Sequence, residues 1–402
     1  MNHHFLPVTV FTFALMLTAK GAAADPSFES QTVEGAISIG YGLAIGDMDG
    51  DGKQDILLAD AKEFVWYKNP TWEKQVFAKL PGIRDNVCIA AEDIDGDGKV
   101  EIAVGANWNP GETVDEAKSG SVHYLTRPTE SGKLWGVVDL PHEPTVHRMR
   151  WMQTDDKRWA LIVLPLHGRG NKNGAGENGV KVQAYFPGKD ASAAANWEVK
   201  LIDDSLHVTH NLDRLPQGSG ALGTLVVGGK EGLLLVKNGV KSKRLELVDS
   251  PNSPLPPTPF PGVGEIRWLG KAGEGNLPSL TAIEPFHGNV LAVYGAKGAK
   301  YERSIIDDQL AQGHALGAAD FLGSGDEQIV AGWREPNAAK QFGLKLYAKA
   351  ADGKWTSSWI DQNKMACEDL KIADLNGDGK PDIIAAGRST KNVMIYWNKS
   401  GK

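Results

Sequence analysis

The chain has 402 residues, 41% of them hydrophobic and 23% charged, with a formal net charge of −7. That composition excludes a disordered chain and a fibre, and without a long basic run it gives no support to a nucleic-acid partner. Two cysteines exclude a disulfide scaffold and any cysteine-rich zinc or iron–sulfur module.

Residues 1–24 read as a removable leader. Phe5 to Ala19 is an apolar stretch of signal-peptide length, and Ala22, Ala23 and Ala24 offer the small residues of a cleavage site. The stretch is preceded by His3 and His4 rather than by Lys or Arg, which is unusual for an export signal. The reading predicts an exported protein, periplasmic or extracellular, that starts near Asp25. No later segment is apolar enough to span a bilayer. An oxidising compartment permits a Cys88–Cys367 bridge, but nothing in the sequence requires one.

From residue 25 onward the chain repeats. Leu43 to Ala59, Ile89 to Gly105 and Leu370 to Ala386 each consist of an apolar strand, an Asp/Gly loop and a second apolar strand. Ala315 to Gly332 keeps this shape with a degraded loop. The acids that open the loops are Asp47, Asp93, Asp320 and Asp374. A period of about 50 residues signals a solenoid or propeller. The long gap after Asp93 has room for three more units, which begin near His147 (HRMRWM), His207 (HVTHNL) and Glu265 (EIRWLG). Most units continue with two further strand-like stretches. The seventh has only three strands, and residues 27–33 are left over to supply its fourth. The prediction is a seven-bladed β-propeller of four-stranded blades over 25–402, its ring closed by the N-terminal strand.

Three loops follow D-x-D-G-D-G-x-x-D. Oxygen ligands at positions 1, 3, 5 and 9 of a tight glycine-permitted turn suit Ca2+. The predicted ligands are Asp47, Asp49, Asp51 and Asp55 in loop one; Asp93, Asp95, Asp97 and Glu101 in loop two; and Asp374, Asn376, Asp378 and Asp382 in loop seven. Loop six has Leu322 and Ser324 where acids belong and is expected to bind no ion. These motifs resemble the FG-GAP/VCBS repeats of calcium-loop propellers. That resemblance implies structural calcium on the face opposite the strand starts.

Six residues before each loop anchor the innermost strand begins, where side chains from different blades converge. Aligned this way the units give Tyr41, Val87, His147, His207, Glu265, His314 and Glu368, with Gln153 and Asp213 as the anchors of units three and four. The end of the second strand returns to the same rim, and brings His167, His287, Arg334, Arg388 and Trp108. Imidazoles at such a rim suit Zn2+ or another divalent transition metal. His147, His207 and His314 share one register and are the predicted metal ligands. His210, His167 and Arg334 are the predicted catalytic groups, and Glu265 and Glu368 can orient a ligand or replace one. Arg148, Arg388, His287 and Trp108 are predicted to contact a small sugar or glycan.

The calcium-loop propeller with LPHEPTVHRMRW, LPLHGRG and HVTHNL resembles the propeller part of aldos-2-ulose dehydratases. That resemblance implies metal-assisted β-elimination of water from a keto sugar. The alternative expectation is a calcium-dependent carbohydrate- or protein-binding propeller that breaks no bond.

Overall fold

The computed structural model describes residues 26–215, 222–239, 241–248, 262–270 and 277–401, so the predicted leader lies outside the described residues. Its strands form seven antiparallel sheets of four. The protein is a seven-bladed β-propeller. In chain order the innermost strands are Gly42–Gly46, Asn86–Glu92, Val146–Gln153, Thr209–Arg214, Ile266–Leu269, Gly313–Ala319 and Cys367–Ala373.

The leftover strand closes the ring as predicted. Phe28–Glu34 pairs antiparallel with Val393–Asn398, with Phe28 opposite Asn398 and Thr32 opposite Met394. The seam is reinforced where the Lys399 N–H donates to the Ser27 carbonyl (2.8 Å) and the Trp397 indole donates to Gln31 Oε1 (2.8 Å). The last sheet therefore has its outer edge paired rather than open.

Strands such as Asp55–Ala59 and Trp159–Pro165 are apolar and buried on both faces because each blade packs against a neighbour on either side. Met149 and Trp151 of blade three pack with Tyr124 of blade two and with Tyr185 and Trp197 of their own blade. Met152 faces the opposite way, onto Leu212 and Leu225 of blade four. Trp151 is 2% exposed, so truncating it to Ala would cost about 3–5 kcal/mol. Trp268 and Trp333 are buried likewise and serve as packing. Cys88 and Cys367 are both buried and free; they sit in blades two and seven and form no bridge.

The three acidic loops share one internal wiring. The first-position carboxylate accepts two glycine N–H groups: Asp47 from Gly50 and Gly52, Asp93 from Gly96 and Gly98, Asp374 from Gly377 and Gly379. Gly50 and Gly52 both have φ +82°, which side-chain-bearing residues rarely adopt. The ninth-position acid accepts the N–H of position two, as Asp55 does from Met48 (2.9 Å) and Glu101 from Ile94 (2.9 Å). Loop six makes a bond shifted by one residue, the position-three N–H of Leu322 donating to the amide Oε1 of Gln328 (2.9 Å), and Asp320 still accepts the Gly325 N–H (2.7 Å). The turn thus persists where the acids are lost.

Candidate functional site

The site grows out of a repeated irregularity. In five inner strands the ladder slips just after its first pair: between Asn86 and Cys88, Val146 and Arg148, Thr209 and Leu212, Gly313 and Ala315, and Cys367 and Asp369. A bulge leaves its residue out of the ladder and re-aims the side chain. The residues released are Val87, His147, His210 with Asn211, His314 and Glu368. Glu265 stands one residue before its own inner strand.

This ring corrects one predicted position. In blade four the ring residue is His210, not His207. Asp213, used as that unit's loop anchor, is a strand residue whose Oδ2 accepts the Trp268 N–H (3.0 Å). Strand Thr209–Arg214 runs on through Asp213, so the register moves by three. His207 is not in the cluster: its Nδ1 meets Glu231 at 2.8 Å and its Nε2 meets the Glu177 carbonyl at 3.1 Å.

The imidazoles that converge are His210, His287 and His314, from blades four, five and six. One ring nitrogen of each lies within 4.8 Å of those of the others, which is close enough to share a metal ion. His287, predicted to contact sugar, instead completes this group from the loop after strand Ser279–Glu284. His210 and His287 approach through Nε2 atoms 2.6 Å apart. The His287 and His314 rings lie with centroids 4.4 Å apart.

The surrounding donors assign the protons. His314 Nδ1 donates to the Glu368 carbonyl (2.5 Å), leaving its Nε2 with the lone pair. Arg334 can only donate, and its Nη2 reaches His287 Nδ1 at 3.3 Å, so the His287 proton sits on Nε2 and points at His210. His210 in turn presents Nδ1 to Glu265 Oε1. That pair is 3.4 Å apart and outside good hydrogen-bond geometry, so both atoms are buried without a formed bond. A metal taking both facing Nε2 atoms would displace the shared proton. Arg334 is already held without His287, by Glu368 (2.7 Å) and Gln312 (3.1 Å), so it can yield. Three neutral imidazoles with carboxylates behind them fit a divalent transition metal.

Burial keeps these rings neutral. Desolvation, reinforced by His210 and Arg334, brings the His287 pKa down to about 2. Desolvation likewise holds His147 and His314 well below the usual histidine value, and lowers His210 against the opposing pull of Glu265. Burial alone would raise Glu265, but His210 and Arg267 outweigh it and keep that carboxyl well below its usual range.

His147 flanks the group. Its Nδ1 donates to the His210 carbonyl (2.8 Å), and the Trp108 ring stacks on it with centroids 5.0 Å apart. Arg334 and Arg388 both hold Glu368, at 2.7 and 2.9 Å, and Glu368 is 2% exposed. Arg334 therefore braces the cluster rather than standing free as a catalytic group. Arg388 keeps more exposure and lies 5.6 Å over the Tyr41 ring. His167 bridges to Val208 on the same rim, with its Nδ1 buried and without a hydrogen-bond partner. His123 is remote, tied in the third strand of blade two to Ser121 and Asp139.

At the opposite end of the inner strands, Asp47, Asp49 and Asp55 in loop one and Asp93, Asp95 and Glu101 in loop two bring carboxylates within 4.8 Å of one another. The fifth-position acids stand outside these groups: Asp51 accepts the Lys53 N–H and Asp97 the Lys99 N–H. In loop seven the third position is Asn376. Loop one has an added feature, since the Lys68 ammonium contacts Asp49 and approaches Asp51 to 3.8 Å.

Comparison with known proteins places this geometry. Residues 119–297 match the family model described as the aldos-2-ulose dehydratase β-propeller domain. Residues 28–104 match that of an FG-GAP-like repeat. The aldos-2-ulose dehydratase of Phanerodontia chrysosporium is 21% identical over 364 residues, covering 84% of this chain and 38% of the relative. The chain thus spans well under half of that protein's length. Among solved structures, a chain of the mitotic checkpoint complex aligns with TM-score 0.56 and 12% identity over 98% of this chain and all of that one. BBS1N in complex with ARL6DN aligns with TM-score 0.52 and 11% identity over 94% of this chain and 97% of that chain. Both likenesses concern the fold alone. The dehydratase match contains His147, His210, Glu265 and His287, and ends before His314, Arg334 and Glu368.

Proposed function

We propose that this protein is an exported sugar dehydratase that removes water from a keto sugar by β-elimination at the rim of the propeller. The convergence of His210, His287 and His314 from three blades carries this reading. The dehydratase likeness, distant and partial, supports a sugar as the substrate.

His210, His287 and His314 would hold a divalent transition metal such as Zn2+, with Glu265 and Glu368 as outer partners. When bound, such an ion polarises a substrate carbonyl and acidifies the neighbouring C–H. His147 is assigned the base. Burial keeps it neutral, and its Nδ1–H bond to the His210 carbonyl leaves the lone pair on Nε2. It takes the proton α to the carbonyl as the C=C bond forms and the C–O bond to the β-hydroxyl breaks. Returned to that hydroxyl, the same proton completes a molecule of water. Arg388 donates to sugar hydroxyls, and the face of Trp108 turns a flat wall to the ring. The acidic loops hold Ca2+ in a structural role, and the predicted leader places the protein outside the cytoplasm.

The test is direct. The zinc-loaded chain is offered 1,5-anhydrofructose and 3-keto-glycosides, and the ultraviolet absorbance of the enone product is followed. His147→Gln is expected to retain metal and lose turnover at least 100-fold, in line with the loss of a general base. Binding of these sugars without any enone from the loaded wild-type chain would sink the lyase reading and leave a glycan-binding propeller.

A further inference from the structure

Beneath the imidazoles, the channel carries more positive charge than its own carboxylates match. The inner strands bring Arg148 and Arg150 from blade three, Arg267 from blade five and Lys371 from blade seven. Lys371 pairs with Asp369 at 2.7 Å, and Arg267 meets Glu265 at 3.3 Å. Asp213 and Asp369 also serve as braces between blades, accepting the N–H groups of Trp268 (3.0 Å) and Leu43 (2.8 Å).

Arg148 and Arg150 are left over. Arg148 is 5% exposed, yet its one hydrogen bond goes from Nη1 to the carbonyl of His147, its own neighbour (2.9 Å). Arg150 likewise donates only to the Met149 carbonyl (2.9 Å). Neither forms an ion pair with any described residue. Arg148 is buried and Arg150 half-buried, and a guanidinium has five N–H donors, so most of this capacity has no protein partner and is left to whatever fills the channel.

Their position is axial. The charge of Arg148 acts on His210, His287, His314 and Asp369, which belong to four other blades. Arg150 acts on Asp213, Arg267 and Lys371, from blades four, five and seven. A side chain felt by so many blades lies close to the central axis. Arg148 and Arg150 are two residues apart on one strand and so share a face, about 7 Å apart along it. Met149 and Trp151, on the alternate face, are committed to the core between blades two and three. Two forked cations at that spacing can close on one small ion from above and below.

We propose that the propeller channel binds a small inorganic anion of the chloride class between Arg148 and Arg150, behind the imidazole cluster. The inference does not rest on the lyase reading, because it concerns charge balance in the channel and no reacting group.

The experiment uses the full chain, exchanged into gluconate, a large organic anion. Chloride or bromide is then added at constant ionic strength while the thermal midpoint is followed. A saturable rise with chloride and bromide is expected, and it should be absent from Arg148→Met and Arg150→Met. In gluconate, Arg148→Met should unfold at or above the wild-type temperature, because it deletes an unmatched charge. Crystals grown in bromide should show one anomalous peak between the two guanidinium groups. Equal responses to gluconate and chloride, a response to phosphate alone, or bromide crystals without that peak would each overturn the proposal. If a variant fails to fold, the bromide crystal of the wild-type chain decides the matter.

Discussion

The two ends of the inner strands hold their polar clusters in opposite ways. At the acidic end, each cluster comes from one contiguous loop and is wired by its own backbone. At the imidazole end, His210, His287 and His314 come from three blades, and each faces a group from elsewhere: Glu265, Arg334 and the Glu368 carbonyl. A loop can lose its acids and keep its shape, as Gln328 shows in loop six. The rim has no such independence, because its geometry exists only when the ring is closed.

The sharpest way to break this comparison is metal analysis of paired variants. His314→Ala should abolish bound transition metal, a loss of the full equivalent, and leave calcium untouched. Asp93→Asn with Glu101→Gln should remove one calcium and leave the rim metal in place. If either variant empties both ends, the two clusters are not separate.

Next in size is Glu368→Ala. It strands Arg334 and Arg388 without their buried carboxylate, and should cost about 3–5 kcal/mol in urea unfolding. A cost under about 1 kcal/mol would mean that the pair is hydrated rather than buried.

Acid should act on the imidazole end of the metal-free chain. The folded pKa values of His147, His210, His287 and His314 all lie below the unfolded value near 6.5. The unfolded chain therefore binds more protons at low pH. The stability these groups contribute is fully present above about pH 6.5 and is lost as pH falls below it, by up to about 1.4 kcal/mol per pH unit for each histidine. Urea midpoints between pH 7 and pH 5 measure this, and a flat profile would refute the neutral cluster. Glu101 has the reverse sign. Burial first, then Asp95, Asp97 and Asp93, raise its pKa to about 7, so ionising it strains the calcium-free loop as pH rises. Calcium uptake by loop two should release a proton near neutral pH, read as buffer-dependent heat in calorimetry.

The smallest expected effect is Lys68→Met. Removing the ammonium that contacts Asp49 should tighten calcium at loop one about threefold, within the range of an exposed ion pair, with loop two as the internal control.

The sequence and the structure agree where information is local. The acidic loops are legible because their carboxylates lie within nine residues, and the blades because apolar strands recur around those loops. The N-terminal strand was legible by subtraction, since the last unit lacked a partner. His147, Glu265, His314 and Glu368 were placed correctly on the ring because a loop anchor or strand start fixed their register. Blade four failed because Asp213 imitates a loop acid while serving as a brace to Trp268. One available signal was His210 itself, which stands just before the Asn211-Leu212 pair, as His314 stands just before Ala315-Leu316. The convergence of His287 on the cluster was not readable, because it depends on how a loop returns to the axis in three dimensions.

The seam between Phe28–Glu34 and Val393–Asn398 also sets a timetable. Among the described strands, the one made first pairs with the one made last. Until the blades between them are made it has no sheet to join, and the circle stays open.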